Sequence, residues 1–183
     1  PGHNDWPIQL NDLKNPPIGL IIKGEIEYLE ELKNSIAIVG TRNPTNYGMR
    51  IAGDFAAGIV DYGWSVISGG ALGIDSAAHQ GALAAEGITA AVLGGGINKP
   101  YPTSNDRLFR EISEKGILIS EVLPNDHPVP HRFLIRNRLI AALSKATIVV
   151  EAAFRSGSLR TARDSAELFR PVMAIPGLIN VPT

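Results

Sequence analysis

The sequence predicts one α/β fold, with a mainly parallel β-sheet and helices on both of its faces. Six short apolar runs from residue 36 onward have the length and composition of buried parallel strands. Longer segments with helical periodicity separate them, and such alternation builds a parallel sheet. We therefore expect a doubly wound, Rossmann-like domain. The predicted strands are residues 36–39, 65–68, 89–93, 117–120, 147–150 and 172–175.

The helical segments show one apolar face each. In the first of them, Ile51, Phe55 and Ile59 share a face, joined by Ala52, Ala56 and Val60, that we expect to pack inward. Residues 1–33 are rich in Pro, Asn and Asp and then acidic, so we interpret them as an extension that packs on the core, with a short strand near residues 20–22. Residues 34–183 form the Rossmann-like domain. The predicted helices are residues 47–62, 74–86, 103–115, 132–144 and 159–170.

Composition excludes several classes of protein. The chain has 183 residues, 44% of them hydrophobic and 19% charged, which fits one globular domain and not a disordered segment. It has no cysteine, which excludes a disulfide scaffold and thiolate metal sites. No apolar run approaches the ~18 residues of a membrane helix. We expect a cytoplasmic protein with no membrane partner.

Charge is unevenly distributed along the chain. The net charge is −1, yet residues 128–170 hold eight arginines and lysines against three acids. A local basic field of this kind attracts anionic partners.

Unusual loops follow the predicted strands. The first is Gly40-Thr41-Arg42, the second includes Ser68, Gly69, Gly70 and Gly73, and the third is Gly94-Gly95-Gly96 with Lys99 close behind. Arg155 lies in the loop after the fifth strand. Because the carboxyl ends of parallel strands meet at one edge of the sheet, these loops should converge there. Glycines allow close backbone approach and helix N-termini bind anions, so we expect a phosphate site.

The helix predicted over residues 132–144 carries an unusual face. Phe133, Arg136, Asn137 and Ile140 are spaced to lie together. An aromatic ring beside Arg and Asn suits a nucleobase next to a phosphate. The alternative is that Phe133 belongs to the core and that the arginines, Arg138 among them, are solvated.

Ser156-Gly157-Ser158 opens the last helix. Either serine could cap that helix, and the same geometry could hold a phosphate.

Catalytic and cofactor motifs are missing or incomplete. The sequence has neither a G-x-G-x-x-G fingerprint nor a P-loop. Asp75, Ser76 and His79 share one predicted helix, but we expect Asp75 to bond nearby backbone or His79 and not to complete a triad.

Two further pairs of residues are not expected to form a catalytic or a metal site. For Glu121 and Glu151, each at a strand end, we favour bonds to backbone N–H groups or to arginines. His127 and His131 lack a third ligand for a metal. We predict no catalytic residue, no metal and no cofactor.

A set of spaced motifs runs from about residue 16 to the last residue. It comprises Gly40-Thr41-Arg42, residues 68–75 with His79, Tyr101-Pro102 with Asn105, Ser120-Glu121, Phe133 with Arg136-Asn137-Arg138, and Glu151-Ala152 with residues 156–159. This set resembles the DNA-processing protein A family (DprA/Smf).

The resemblance implies a Rossmann-like core that binds single-stranded DNA without catalysis. It further implies protection of incoming DNA in natural transformation, loading of the RecA recombinase, and a homodimer. Arg42 would contact a phosphate, the two loops at 68–73 and 156–158 would hold the backbone, and Phe133 would stack a base. The candidate DNA-binding residues are Thr41, Arg42, Ser68, Gly69, Gly70, Gly73, Lys99, Phe133, Arg136, Asn137, Arg138, Ser156, Gly157 and Ser158.

Two other functions remain possible on the same fold. One is an enzyme similar to the nucleotide phosphoribohydrolases of the lysine-decarboxylase-like family, although their P-G-G-x-G-T-x-x-E signature is not found. The other is a nucleotide-sensing module. Release of free base would identify the enzyme, and binding that depends on oligonucleotide length would separate a DNA binder from a sensor.

Overall fold

The structure is a computed structural model that describes residues 2–154 and 156–177. Over these residues it has seven strands and six α-helices. The strands are β1 (Ile21–Gly24), β2 (Ser35–Gly40), β3 (Ser65–Ser68), β4 (Thr89–Leu93), β5 (Ile117–Ser120), β6 (Ala146–Val150) and β7 (Val172–Ala174). The helices are α1 (Tyr28–Glu31), α2 (Asn46–Asp61), α3 (Ile74–Ala84), α4 (Asp106–Lys115), α5 (Pro130–Leu143) and α6 (Gly157–Glu167). Short 3₁₀ turns cover Ile8–Asp12 and Thr103–Asn105.

The seven strands form one sheet in the order β1-β5-β4-β3-β2-β6-β7. Only the β1–β5 pair within it is antiparallel. The chain runs outward from β2 to β5 and then returns to place β6 on the other side of β2. This confirms the predicted doubly wound, mainly parallel fold. The reversal leaves a crevice at the carboxyl ends of β2 and β6, where open α/β sheets bind ligands.

Two-residue alternation along the strands divides the core into two layers. In β2, Ala37 and Val39 face the layer that contains α1, α5 and the first 3₁₀ turn. Ile38 faces the opposite layer, with α2 and α3. Because β2 to β6 are buried on both faces, each of them appears in the sequence as a continuous apolar run, whereas the edge strand β7 is exposed. The six strands predicted from those runs are therefore confirmed, with ends shifted by at most one residue.

One residue of the predicted inner face of α2 points outward. Phe55, expected inside, is 42% exposed, whereas Ala52, Ala56 and Ile59 face inward as predicted, together with Gly48. The reason is close packing against α3, where a Cβ on Gly81 would lie 2.4 Å from the Gly53 carbonyl oxygen. Two helices at that separation must present small side chains to each other.

The segment before β2 packs against the sheet. Leu10, Leu29 and Leu32 are buried in the same layer as α5, and β1 forms one edge of the sheet. Arg170 also pairs with Asp12 at 2.9 Å. The domain boundary at residues 33 and 34 remains a prediction.

Residues 2–154 and 156–177 contain neither a membrane-spanning helix nor a metal-binding cluster. No helix there has both the length and the apolar character needed to cross a bilayer. No group of three or more His, Asp or Glu side chains in the same residues could hold a metal ion.

A buried histidine links α3 to the sheet. His79 is fully buried, and its Nδ1 lies 2.7 Å from the Thr89 hydroxyl oxygen. Its Nε2 has no hydrogen-bond partner among the described residues. Burial, and secondarily the charge of Arg136, lowers the pKa of His79 from 6.5 to about 3. The folded protein therefore holds this imidazole neutral.

Folding stability should consequently fall as the pH is lowered from about 7.5 to 5. Unfolded His79 gains a proton below pH 6.5 and folded His79 does not until about pH 3, so this residue alone removes about 2 kcal/mol from the free energy of unfolding. Urea unfolding at both pH values should show a smaller pH dependence for His79→Gln. His131→Gln, at an exposed position, is the control. Equal pH dependence in wild type and His79→Gln would contradict the prediction.

Candidate functional site

A cleft of about 580 Å³ opens at the carboxyl ends of β2 and β6. It lies at the point where the order of the strands reverses, which is the expected ligand position in this architecture. Of the residues proposed from the sequence, the cleft is lined by Thr41, Arg42, Phe133, Arg136, Asn137, Ser156, Gly157 and Ser158. The four residues predicted to share one face of α5 all reach it, including Ile140.

One wall of the cleft is polar. Arg42 is exposed in the loop after β2, and it has no ion pair with any described residue. On the adjacent loop, Ser156 caps α6 by accepting from the Leu159 N–H at 3.4 Å. Its hydroxyl oxygen also lies 2.8 Å from that of Ser158. A helix N-terminus flanked by hydroxyls and a free guanidinium is suited to an anion.

The opposite wall is aromatic and apolar. Its centre is Phe133, which is only partly buried, and Tyr101, Pro128 and Pro130 lie beside it in the lining. The ring centroids of Phe133 and Tyr101 are 5.8 Å apart. The Cζ atom of Arg42 lies 6.0 Å from the Phe133 centroid, so the cationic wall and the aromatic wall meet at this ring.

Arg136 lies beneath Phe133 as a buried cation, with its Cζ atom 6.0 Å from the ring centroid. It donates hydrogen bonds to the carbonyl oxygens of Gly69, at 2.7 Å, and Val92. Burial lowers the pKa of Arg136 to about 10; Asp75 opposes this shift and Arg42 adds to it. Arg136 therefore remains charged at neutral pH and contributes a positive potential from below the cleft.

Asp75 begins α3 next to this cation. Its Oδ2 accepts from the N–H groups of Gly69 at 3.1 Å and Ala71 at 3.3 Å. Burial raises the pKa of Asp75, and the charge of Arg136 counteracts that shift. Ser76 donates to the Ala71 carbonyl oxygen at 2.7 Å. The expected bond from Asp75 to nearby backbone is confirmed, and no Ser-His-Asp triad forms here.

Glu151 fixes the loop that carries Arg42. Its carboxylate accepts from the Thr45 N–H at 2.8 Å and from the Thr45 hydroxyl. Its carbonyl oxygen accepts from the Thr41 N–H at 2.7 Å. Glu151 has a φ of 49°, which is uncommon for a residue with a side chain. The hydrogen bonds to its side-chain carboxylate and to its backbone carbonyl oxygen stabilise this conformation. The structural role expected for this acid is confirmed.

Asn137 joins the two helices that flank the cleft. Its Nδ2 donates to the Gly157 carbonyl oxygen at 3.0 Å, and its Oδ1 accepts from Arg136 Nε at 3.3 Å. The α6 N-terminus is therefore held in place by α5.

Several residues proposed for direct contact with a ligand do not line the cleft. Ser68, Gly69 and Gly70 are buried, and Ser68 donates to the Ile38 carbonyl oxygen at 2.6 Å. Gly73 lies behind the loop of Arg42, where a Cβ would come within 2.5 Å of the Thr41 carbonyl oxygen. These residues lie beneath the cleft and outside its lining, and their direct contact with a phosphate remains a prediction.

Two glycines of these loops, Gly69 and Gly94, are in close contact with side chains of the protein itself. A Cβ on Gly69 would lie 2.6 Å from the Arg136 guanidinium, and one on Gly94 would lie 2.7 Å from the Phe133 ring. They are needed because an arginine and an aromatic ring pack directly on the backbone of these loops.

Lys99 and Arg138 also lie outside the cleft. Lys99 is exposed, with its Nζ 3.0 Å from His127 Nε2. Arg138 binds both carboxylate oxygens of Glu121, at 2.7 and 2.8 Å, in a second cleft of about 400 Å³ on the other side of α5. Arg138 is thus neutralised by an ion pair, which confirms the structural role expected for Glu121 as a partner of an arginine. Arg155 lies outside the described residues.

Tyr101 and Thr161 line the cleft but were not among the proposed residues. The sequence could have indicated Tyr101, since Tyr101-Pro102 follows the glycine-rich loop after β4. Nothing in the sequence could have indicated Thr161, because a single threonine on a helix is common.

The amino-acid sequence is related to proteins of known name. It is 42% identical over 191 aligned residues to a putative DNA processing protein DprA from Mycobacterium tuberculosis, covering 98% of this chain. The alignment covers 49% of that protein, so this chain spans about half the length of its relative.

Two solved structures share the fold closely. DNA processing protein A from Streptococcus pneumoniae superposes with a TM-score of 0.91 and 37% identity, covering 97% of this chain and 62% of that one. DNA processing protein A from Helicobacter pylori, described by its single-stranded DNA binding mode, gives a TM-score of 0.88 and 33% identity, covering 96% and 80%. The sequence profile of DNA recombination-mediator protein A matches residues 1–183. The chain therefore belongs to the DNA recombination-mediator protein A family.

Proposed function

We propose that this domain binds single-stranded DNA in the cleft between β2 and β6, without hydrolysing it. The observation that carries the proposal is the position of the partly buried Phe133 ring, 6.0 Å from the Arg42 guanidinium carbon, in a cleft also lined by the α6 N-terminus. A nucleotide has a flat apolar base and an anionic phosphate. The aromatic wall suits the base, and the polar wall suits the phosphate. The described function of the Helicobacter pylori relative supports the same ligand.

The polar wall would bind the phosphodiester backbone. Arg42 offers a guanidinium with no ion-pair partner among the described residues, and Ser156 and Ser158 offer hydroxyls at a helix N-terminus. None of these groups reads a base, so binding would tolerate many sequences. The buried charge of Arg136 adds attraction without needing direct contact.

The aromatic wall would bind bases. Phe133 presents a partly buried ring that packs against Gly94, and a ring held by packing loses little freedom when a base stacks on it. A base paired in a duplex is already stacked on both sides, so it is unavailable to this ring. The arrangement therefore favours single strands.

Absence of hydrolysis is part of the proposal. The carboxylate of Glu151, which ends a strand beside the cleft, accepts two hydrogen bonds from Thr45 and is committed to the loop. Glu121 is bound to Arg138. Neither is placed as a free general acid or base.

The cellular role is proposed from family membership. We propose that the domain protects incoming DNA in the cytoplasm during natural transformation and loads RecA recombinase on it, acting as a homodimer. The candidate residues that line the cleft would hold the strand, and Ser68, Gly69, Gly70 and Gly73 would support it from beneath. Lys99 and Arg138 lie outside the cleft, so a contact from either would require the strand to extend beyond it.

Strand preference tests the proposal as a whole. Labelled oligo-dT should bind the 183-residue chain more tightly than a matched duplex or a free nucleotide at each of several salt concentrations, measured by fluorescence anisotropy. Tighter binding of duplex would contradict the proposal. Release of free base or phosphate that disappears in Glu151→Ala would establish the enzyme instead.

Arg42→Ala should weaken binding of all sequences alike. Loss of one phosphate contact should reduce the slope of log K against log salt by ~0.7 for a single strand. Arg110→Ala, which removes an exposed arginine of α4 outside the cleft lining, is the matched control and should keep the slope. An unchanged slope in Arg42→Ala would place this residue outside the contact set.

Phe133→Ala should weaken binding by about 1–3 kcal/mol and leave the salt slope nearly intact, because stacking depends little on salt. Phe109→Ala is the comparison, since Phe109 is 2% exposed and its loss should lower the free energy of unfolding by about 3–5 kcal/mol. Thermal unfolding separates the two effects. If Phe133→Ala destabilises the fold as much as Phe109→Ala does, Phe133 is a core residue and its stacking role is wrong.

A further inference from the structure

Tyr101 is an exposed aromatic residue at the mouth of the cleft. It lies in the loop between β4 and α4 and is 50% exposed. Its hydroxyl makes no hydrogen bond within the described part of the chain, and its recorded ring contact is with Phe133. Neither burial nor hydrogen bonding therefore explains why position 101 is a tyrosine.

The loop that carries Tyr101 is firmly anchored. Asn105, three residues beyond Pro102, is buried and donates from Nδ2 to the Gly70 carbonyl oxygen at 3.0 Å and to the Ser76 hydroxyl oxygen at 2.8 Å. Its N–H donates to the Pro102 carbonyl oxygen at 3.0 Å. The Tyr101 ring thus extends from a supported turn, and such a ring can receive a ligand at low entropic cost.

The geometry of the two rings limits what could bind them. Their centroids are 5.8 Å apart and their planes are inclined by 60°. Bases stacked in a duplex follow each other at about 3.4 Å along each strand. Two bases resting on these rings would therefore be separated and turned away from each other, as only an unpaired strand allows.

We propose that Tyr101 is a second base-stacking residue of the cleft, which takes the base next to the one on Phe133. The inference rests on the proposed function and extends it from one bound base to two successive splayed bases. Since both rings lie on the same wall, the phosphate between the two bases would face the wall of Arg42 and Ser156, which line the same cleft.

In the competing explanation, Tyr101 only shields the Phe133 ring from water and binds no base. Substitutions can separate the two roles. Tyr101→Leu keeps apolar bulk over Phe133 but removes the aromatic face, and Tyr101→Phe keeps the face but removes the hydroxyl. Tyr62→Ala is the matched control, because Tyr62 is 86% exposed at the end of α2 and outside the cleft lining.

Affinity for labelled oligo-dT should fall about 5- to 10-fold in Tyr101→Ala and in Tyr101→Leu, the lower end of the range for one stacked base. Tyr101→Phe and Tyr62→Ala should bind like wild type. The salt slope and the melting temperature should stay the same in all four variants. Wild-type affinity in Tyr101→Leu would reduce Tyr101 to a cover for Phe133 and overturn the inference.

Abasic substitutions locate the base that is involved. In the shortest oligonucleotide that wild type binds, removal of either of two adjacent bases should weaken binding. Tyr101→Ala should become insensitive to one of these removals and Phe133→Ala to the other. If both variants lose sensitivity to the same base, Tyr101 has no base of its own. If wild type binds no single strand, the proposed function fails; if only the Tyr101 variants behave like wild type, this inference alone fails.

Discussion

The positive charge of Arg136, buried beneath the cleft, is the interaction on which the site depends. An unpaired charge in this position would cost several kcal/mol. Here the carbonyl oxygens of Gly69 and Val92 accept its hydrogen bonds, and Asp75 supplies a nearby negative charge. Because these partners come from the loop after β3, from β4 and from α3, satisfying one guanidinium fixes the position of α5 relative to three other parts of the fold.

The position of α5 in turn determines both walls of the cleft. Phe133 lies one turn before Arg136 and is held against Gly94. Asn137, the next residue, bonds to Gly157 and so sets the N-terminus of α6. One helix thus places the aromatic wall and part of the anion-binding wall. The remaining cation, Arg42, is placed independently by the bonds between Glu151 and Thr45.

The loops after the strands have divided roles. Those after β2 and β6 present Arg42 and Ser156 to the cleft, whereas those after β3 and β4 use their glycines to admit Arg136 and Phe133. A glycine-rich sequence therefore has two interpretations at a ligand site, close approach of the ligand or close approach of a supporting side chain. Only the second is realised at Gly69 and Gly94.

The sequence by itself determined the fold class, the six parallel strands and the shared face of Phe133, Arg136, Asn137 and Ile140. These features follow from local periodicity, which a short stretch of chain specifies. The tertiary structure alone decided that Arg42 stays free of an ion pair among the described residues while Arg138 is bound to Glu121. It also decided that Ser68 is buried and that Tyr101 reaches the cleft. Such outcomes depend on distances between residues far apart in the chain, and those distances are set only when the strands have taken their order in the sheet.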